Sequence, residues 1–281
     1  MKKVVIWGVG QGGQMMKNLL SPDMKVVAYC DNNKKMQETK IGNIPVINEQ
    51  QLLGIEPDYV YVAILNKDAC KEVKLQIEAL ALKCSIISIT EYRQQLDIRL
   101  AVLKLIAREV EQRNIQGDVA ELGVYKGKFA AEINALFPKR NIYLFDTFEG
   151  FDERDIEIEK KNEFSRSEIG KFNDTSIDMV SSRLPYKEQA IFKNGYFPDT
   201  AHGIDVNFAV VSLDADLYQP IYEGLKFFYP RMSVGGYMII HDYNNTQFSG
   251  VREAVQQFCR EENVFVVPIC DLHGTAVIVK Q

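Results

Sequence analysis

From its first residues the chain alternates short apolar runs with stretches of helical period. Lys3–Trp7, Lys25–Cys30, Tyr59–Leu65 and Ser85–Ile89 read as buried strands. Between them, Gln14–Leu20, Glu49–Leu53 and Asp68–Leu82 have helical apolar spacing. Strands alternating with helices predict a parallel sheet with crossover helices. A longer amphipathic stretch follows, from Glu91 to Asn114. Leu96, Leu100, Leu103, Ala107 and Val110 form its stripe, with Arg99, Arg108, Glu109 and Gln112 elsewhere. It reads as a packing helix that opens a second domain, with homo-oligomer formation as the alternative.

A second βα series starts at Val119. Val119–Leu122, Asn141–Phe145, Ala190–Phe192, Phe208–Leu213 and Tyr237–His241 are its expected parallel strands. Val264–Pro268 and Thr275–Val279 flank the turn Asp271–Gly274 and read as a terminal antiparallel hairpin. Five parallel strands closed by such a hairpin are the layout of class I methyltransferases. The fold class is therefore α/β, with two Rossmann-like domains. By that layout, residues 1–92 are expected to form a small nucleotide-binding-type domain, 93–116 a linking helix and 117–281 a domain of the methyltransferase layout. Residues 152–174 are highly charged without clear periodicity and read as a lid or a solvated excursion.

Composition narrows the chemistry. The 281 residues are 46% apolar and 25% charged, ordinary globular usage, with a net charge of −5. A phosphate-tracking groove normally leaves a basic footprint, so nucleic acid is not an expected partner. The longest apolar run, Tyr59–Leu65, is far below the roughly 20 residues that span a bilayer. The start, with its early glycines, does not read as a signal peptide, and the five scattered cysteines read as reduced. A cytoplasmic protein is expected. With three histidines, a His-rich zinc centre is excluded, so any metal is held mainly by oxygen.

The two halves share one device. Gly8, Gly10 and Gly13 follow a strand and open a helix, and Asp31 ends the next strand. Gly123 and Gly127 do the same, and Asp146 lies as far beyond Gly123 as Asp31 lies beyond Gly8. Glycine lets a ligand approach the backbone, the helix start offers free N–H groups, and the carboxylate accepts from ribose hydroxyls. In the second half the pattern is G-x-x-x-G preceded by Glu121, which suits S-adenosylmethionine better than a pyrophosphate. Close packing at a plain α/β turn would also explain these glycines. The acidic strand ends at Asp214 and Asp242 would repel one another without a cation, and Mg²⁺, a hard ion, prefers such oxygen ligands.

The pieces GDVAELGVYKG, FDTFEGF, NDTS, NGYFPDT, LDADLYQP, LKFFYPRMSVGGYMIIHDY and GVREAV stand in order between Gly117 and Lys280. This stretch resembles the macrocin O-methyltransferase (TylF) family, S-adenosylmethionine- and Mg²⁺-dependent enzymes that methylate sugar hydroxyls. The resemblance implies that Glu121, Gly123, Tyr125 and Gly127 line the methionine and ribose side of the cofactor. It puts Asp146 on the ribose, Thr147 and Phe148 beside the adenosine, and Ser176 and Gly195 near the adenine. Asp214 and Asp242 would bind the metal. Family members commonly carry an acidic pair where this chain has His241-Asp242. The third ligand is therefore open between His241, Asn244 and water, with a shift toward Mn²⁺ as one consequence.

The implied catalytic set is Asp214 as metal ligand and proton acceptor, with His241 or His273 as alternative bases. Residues 152–174 would close over the site. The first domain is similar to small Rossmann-like domains at the front of bacterial sugar-modifying enzymes. That implies a nucleotide or nucleotide-sugar at Gly8, Gly10, Gly13 and Asp31, with an empty structural domain as the alternative. The acceptor expected is a glycoside, polysaccharide precursor or nucleotide-sugar. The alternatives are a small non-sugar hydroxylated acceptor, or NAD or nucleotide binding without methyl transfer.

Overall fold

The computed structural model describes residues 1–281, all but the side chain of Gln94. The chain divides into two compact units, Met1–Ile98 and Arg99–Gln281.

The first unit runs β1 (Lys2–Trp7), α1 (Gln11–Leu19), β2 (Met24–Cys30), β3 (Lys40–Ile41), β4 (Ile44–Ile47), α2 (Glu49–Leu53), β5 (Tyr59–Val62), α3 (Lys67–Ala79), β6 (Ser85–Ser88) and α4 (Ile89–Gln95). Its sheet order is β3-β4-β2-β1-β5-β6, parallel apart from the β3–β4 pair. Val5, Trp7, Cys30, Leu52, Val62 and Ile77 pack together in its core. Helix starts are set locally: the Asn66 side chain accepts from the N–H groups of Asp68 and Ala69, and Asn48 and Gln51 form a capping box at α2.

The second unit opens on α5, whose span Ile98–Gln112 starts one residue before the division. It continues through β7 (Asp118–Leu122), α6 (Lys128–Leu136), β8 (Ile142–Asp146), α7 (Glu153–Lys161), α8 (Ile177–Arg183), β9 (Ala190–Asn194), β10 (Phe208–Leu213), α9 (Tyr218–Phe228), β11 (Met232–Ile240), α10 (Ser249–Glu262), β12 (Val267–Pro268) and β13 (Ala276–Val279). The sheet order is β12-β13-β11-β10-β7-β8-β9. Only β13 runs antiparallel, pairing with both β11 and β12. This is the class I methyltransferase arrangement, with the terminal hairpin inserted beside the fifth parallel strand. One core packs Phe145, Phe208, Phe228, Ile221 and Phe258 together, and a second packs Leu103, Val110, Ile133 and Ile142. Each such side chain contributes about 1.5–3 kcal/mol by burial. Among the described residues, no helix is long and apolar enough to cross a membrane.

Two expectations need correction. The stretch Glu91–Asn114 is not one helix. Leu96 adopts an extended backbone after α4 and is 60% exposed, so it leaves the stripe. Leu103, Ile106, Ala107 and Val110 carry the packing of α5 instead. Residues 152–174 are not simply a solvated excursion, because α7 lies inside them. Its buried positions are Asp155, Ile156 and Glu159. Two are acidic, which hid the helical period, and both acids are answered: Asp155 accepts from Tyr196 Oη and Glu159 from the Tyr218 N–H.

Candidate active site

Where the parallel strands of the second unit end, the backbone is drawn close. Gly123, after β7, has φ of +83°, and a Cβ there would lie 2.2 Å from the Asp214 carbonyl oxygen. Only glycine lets the β7 and β10 loops pass at this distance. At the end of β8, Asp146 braces the same turn. Its Oδ2 accepts from the Val124 and Tyr125 N–H groups, both at 2.8 Å, and its Oδ1 from the Phe148 N–H at 2.7 Å. Asp31 does the same in the first unit, accepting from Val9 N–H at 3.0 Å and Asn33 N–H at 2.8 Å. The equal glycine-to-aspartate spacing therefore has a structural job in both units. A carboxylate has about four acceptor sites, so each can still take a ribose hydroxyl.

The glycines of the first unit divide by role. A Cβ on Gly13 would lie 1.9 Å from the Gly8 carbonyl oxygen, so Gly13 serves close helix packing. Gly8 has φ of +109°, and Gly10 faces open space at the start of α1.

A cleft follows the strand ends in two lobes. One, of about 640 Å³ including space open to solvent, is lined by Gly123, Tyr125, Asp146, Thr147, Gly195 and Asp214, with Phe145, Phe197, Leu217 and Pro220 as apolar walls. The other, of about 920 Å³ on the same basis, is lined by Arg99, Glu121, Gly123, Tyr125, Lys126 and Phe129. Asp214, Asp216 and Phe172 border both. The chain after α7 is tied over this cleft: Tyr125 Oη donates to Asp174 at 2.7 Å, Lys126 pairs with Asp174, and the Phe172 ring meets Tyr125 edge-on.

Most of the expected cofactor residues come together here. Gly123, Tyr125, Asp146, Thr147 and Gly195 line the first lobe, and Glu121 the second. Gly127 and Phe148 shape the flanking turns, Gly127 as the left-handed residue that starts α6 and Phe148 packed against Phe192. Ser176 borders neither lobe. It is exposed and caps α8, its hydroxyl accepting from the Met179 N–H.

At the rim, Asp214, His241 and Asp242 each offer one ligand atom, and these atoms lie within 4.8 Å of one another. His241 Nδ1 is 2.9 Å from Asp214 Oδ1 and 2.7 Å from Asp242 Oδ2. Its Nε2 is 3.1 Å from His273 Nδ1, so the terminal hairpin does bring His273 to this rim. Asn245 donates to Asp242 at 2.5 Å, while Asn244 is taken by Arg252. Asp216 and Asp242 hold φ near +60°, a sparsely populated conformation that clusters at functional sites.

One partner is missing from the sequence-based set. Arg99, 8% exposed, donates from Nη1 to Asp214 Oδ2 at 3.0 Å and from Nη2 to Ser212, with its guanidinium 3.7 Å from the centre of the Phe129 ring. The sequence reading assigned it to the solvent side because it is charged. Its position four residues before Leu103 and seven before Ile106 was the available signal.

The charges resolve accordingly. Burial opposes a charge on His241, but the Asp214 and Asp242 carboxylates outweigh it and raise its pKa to about 10. Burial likewise opposes ionisation of Asp214, yet His241 and Arg99 hold it well below the carboxylate range. Burial and the facing Asp242 and Asp214 push Asp216 well above that range. Burial pushes Glu121 to about 8.

This gives a signed pH expectation for the metal-free protein. Because the folded pKa of His241 is raised, its charge stabilises fully below about pH 6.5 and progressively less as pH climbs toward about 10. The excess thermal stability of wild type over His241→Asn, measured in EDTA, should be largest near about pH 6 and shrink with rising pH. An excess independent of pH would contradict the protonated state.

Once the His241 proton leaves, two carboxylates and an imidazole would offer donor atoms to a divalent ion, the imidazole shifting the preference away from Mg²⁺.

The profile of the macrocin-O-methyltransferase (TylF) family matches residues 94–281. The chain belongs to that family. Its second unit carries the family's fold. Residues 1–88 match a separate profile, C2185-like, N-terminal. Among curated relatives, the demethyldecarbamoylnovobiocin O-methyltransferase of Streptomyces niveus is 27% identical over 163 residues, covering 52% of this chain and 60% of that protein. An 8-demethyl-8-(2,3-dimethoxy-alpha-L-rhamnosyl)-tetracenomycin-C 4'-O-methyltransferase of Streptomyces olivaceus is 28% identical, covering 64% and 71%. Among solved structures, the O-methyltransferase NovP superposes with a TM-score of 0.53 at 22% identity, covering 65% of this chain and 79% of NovP. The calicheamicin methyltransferase CalS11 gives 0.54 at 16%, covering 77% and 94%. At these identities the two structures speak for the fold.

Proposed function

We propose that this family member transfers the methyl group of S-adenosylmethionine to a sugar hydroxyl, with Asp214, Asp242 and His241 holding a divalent cation. What carries the reading is the adjacency of a carboxylate–imidazole cluster to a cleft at the strand ends lined by Gly123, Asp146 and Asp214. The sugar acceptor is supported by the relatives, which include the rhamnosyl-tetracenomycin enzyme and a mycinamicin III 3''-O-methyltransferase of Micromonospora griseorubida.

A bound divalent ion would lower the pKa of an acceptor hydroxyl and fix its direction. The protein's own groups do the rest. Asp146 and the Gly123 turn would seat the nucleoside in the lobe that Asp214 also lines. Asp214 has both oxygens hydrogen-bonded and a depressed pKa, which makes it a poor proton acceptor. His241 serves as the base only where water takes the third metal position, and its Nε2 contact with His273 then gives the proton a way out. Phe172 and the chain tied to Tyr125 limit water access. For the first unit, the open approach at Gly10 supports an accessory nucleotide or nucleotide-sugar site.

The test is incubation of the full chain with S-adenosylmethionine, Mg²⁺ and a panel of sugar nucleotides and glycosides, reading S-adenosylhomocysteine by mass spectrometry. Acceptor-dependent product with a sugar is expected. Turnover only with non-sugar phenols or catechols would move the reading to a small hydroxylated acceptor.

A further inference from the structure

Asp155 was not among the residues read from the sequence, and no step above uses it. It lies on α7 and lines the first lobe, where it is the one polar lining residue that is nearly enclosed, at 6% exposure. Tyr196 Oη donates to its Oδ1 at 2.8 Å. Tyr196 is its hydrogen-bond partner among the described residues, so Oδ2 is left unclaimed on the lobe. Tyr196 is itself held, with the Arg154 guanidinium 3.4 Å from its ring centre and Arg154 bonded in turn to Asp152. The arrangement fixes one carboxylate oxygen and presents the other.

The lobe's walls decide what that oxygen meets. Phe145, Phe197, Leu217, Pro220 and Phe151 make it apolar and suited to a flat ring, while Asp146 and Gly195 stand at its strand-end side. A buried carboxylate with one open oxygen is costly unless an N–H or O–H donor reaches it. A purine buries its faces there and has a single exocyclic amine to donate. Burial also lifts the Asp155 pKa to about 6, so the carboxylate is ionised and purely an acceptor at neutral pH.

We infer that Asp155, oriented by Tyr196, accepts a hydrogen bond from the N6 amine of the cofactor's adenine and thereby selects a 6-amino over a 6-oxo purine. The inference rests on the cofactor reading above. Asparagine at this position would keep its oxygen toward Tyr196 and turn a donor to the ligand, which suits a 6-oxo purine.

The experiment is calorimetric titration of the full-length protein with S-adenosylhomocysteine and with S-inosylhomocysteine, its 6-oxo counterpart, for wild type, Asp155→Asn and Tyr196→Phe. Wild type should prefer the adenosyl ligand by about 10- to 100-fold, the size of one hydrogen bond to a charged group. Asp155→Asn should erase or invert that preference, and Tyr196→Phe should narrow it. If wild type binds both ligands equally, or Asp155→Asn keeps the full preference, the assignment of Asp155 is overturned while cofactor binding stands. If wild type binds neither ligand, the cofactor reading falls and this inference with it. Should Asp155→Asn fail to fold, the wild-type ratio and Tyr196→Phe still decide.

Discussion

Asp214→Asn is expected to lower kcat about 10³-fold or more, because it removes a charged ligand worth several kcal/mol at the reacting centre. The side chain does three things at once. It is one of the three potential metal ligands, it neutralises Arg99, and it shares the Nδ1 proton of His241 with Asp242. Asparagine has nearly the same shape and keeps an oxygen for Arg99, so folding should survive. Circular dichroism and thermal unfolding should therefore show a native protein, and S-adenosylhomocysteine should still bind through the Asp146 side of the cleft. An Asp214→Asn protein with turnover within tenfold of wild type would remove this residue from the chemistry.

The second large effect is on stability. Arg99→Met should cost about 2–4 kcal/mol, somewhat below a fully buried pair because Asp214 is partly open to the cleft and His241 shares its charge. Methionine replaces much of the stem that packs on Phe129, so the loss reports the guanidinium rather than a cavity. It strips Ser212 of its Arg99 donor and leaves the Asp214 carboxylate with His241 as its remaining cationic partner. Combining Arg99→Met with Asp214→Asn should recover part of the loss, since the second change removes a buried charge that has lost one of its two cationic partners. Urea unfolding of the four proteins measures this. Strictly additive losses would show that the pair is not coupled.

These residues also mark how much of the molecule was legible in the sequence. The glycine turns, the acids at the ends of β2 and β8, and the terminal hairpin were readable because each follows from local backbone chemistry. The hairpin even carried His273 to the rim, since a short turn between paired strands fixes where its residues point. Arg99 and Asp155 were not recognised, for one shared reason: each is a charged side chain at a helix position facing inward, so charge argued for solvent while position argued for burial. For Arg99 the apolar stripe of α5 contained the answer. For Asp155 no stripe was visible, because two of the three buried positions of α7 are acidic and their partners, Tyr196 and Tyr218, lie far along the chain. Ser176 has a local job that the sequence did not show, since its hydroxyl accepts from the Met179 N–H as the cap of α8.

The central claim is that the cluster of Asp214, His241 and Asp242 works as a divalent-cation site for methyl transfer. The direct measurement is S-adenosylhomocysteine formation by the wild-type protein with a sugar acceptor identified from the panel, after EDTA treatment and during titration back with Mg²⁺ or Mn²⁺. Turnover should vanish in EDTA and return saturably with either ion, and the half-saturating concentration should fall as pH rises because the ion must displace the His241 proton. Full turnover in EDTA, unchanged by added metal, would contradict the account.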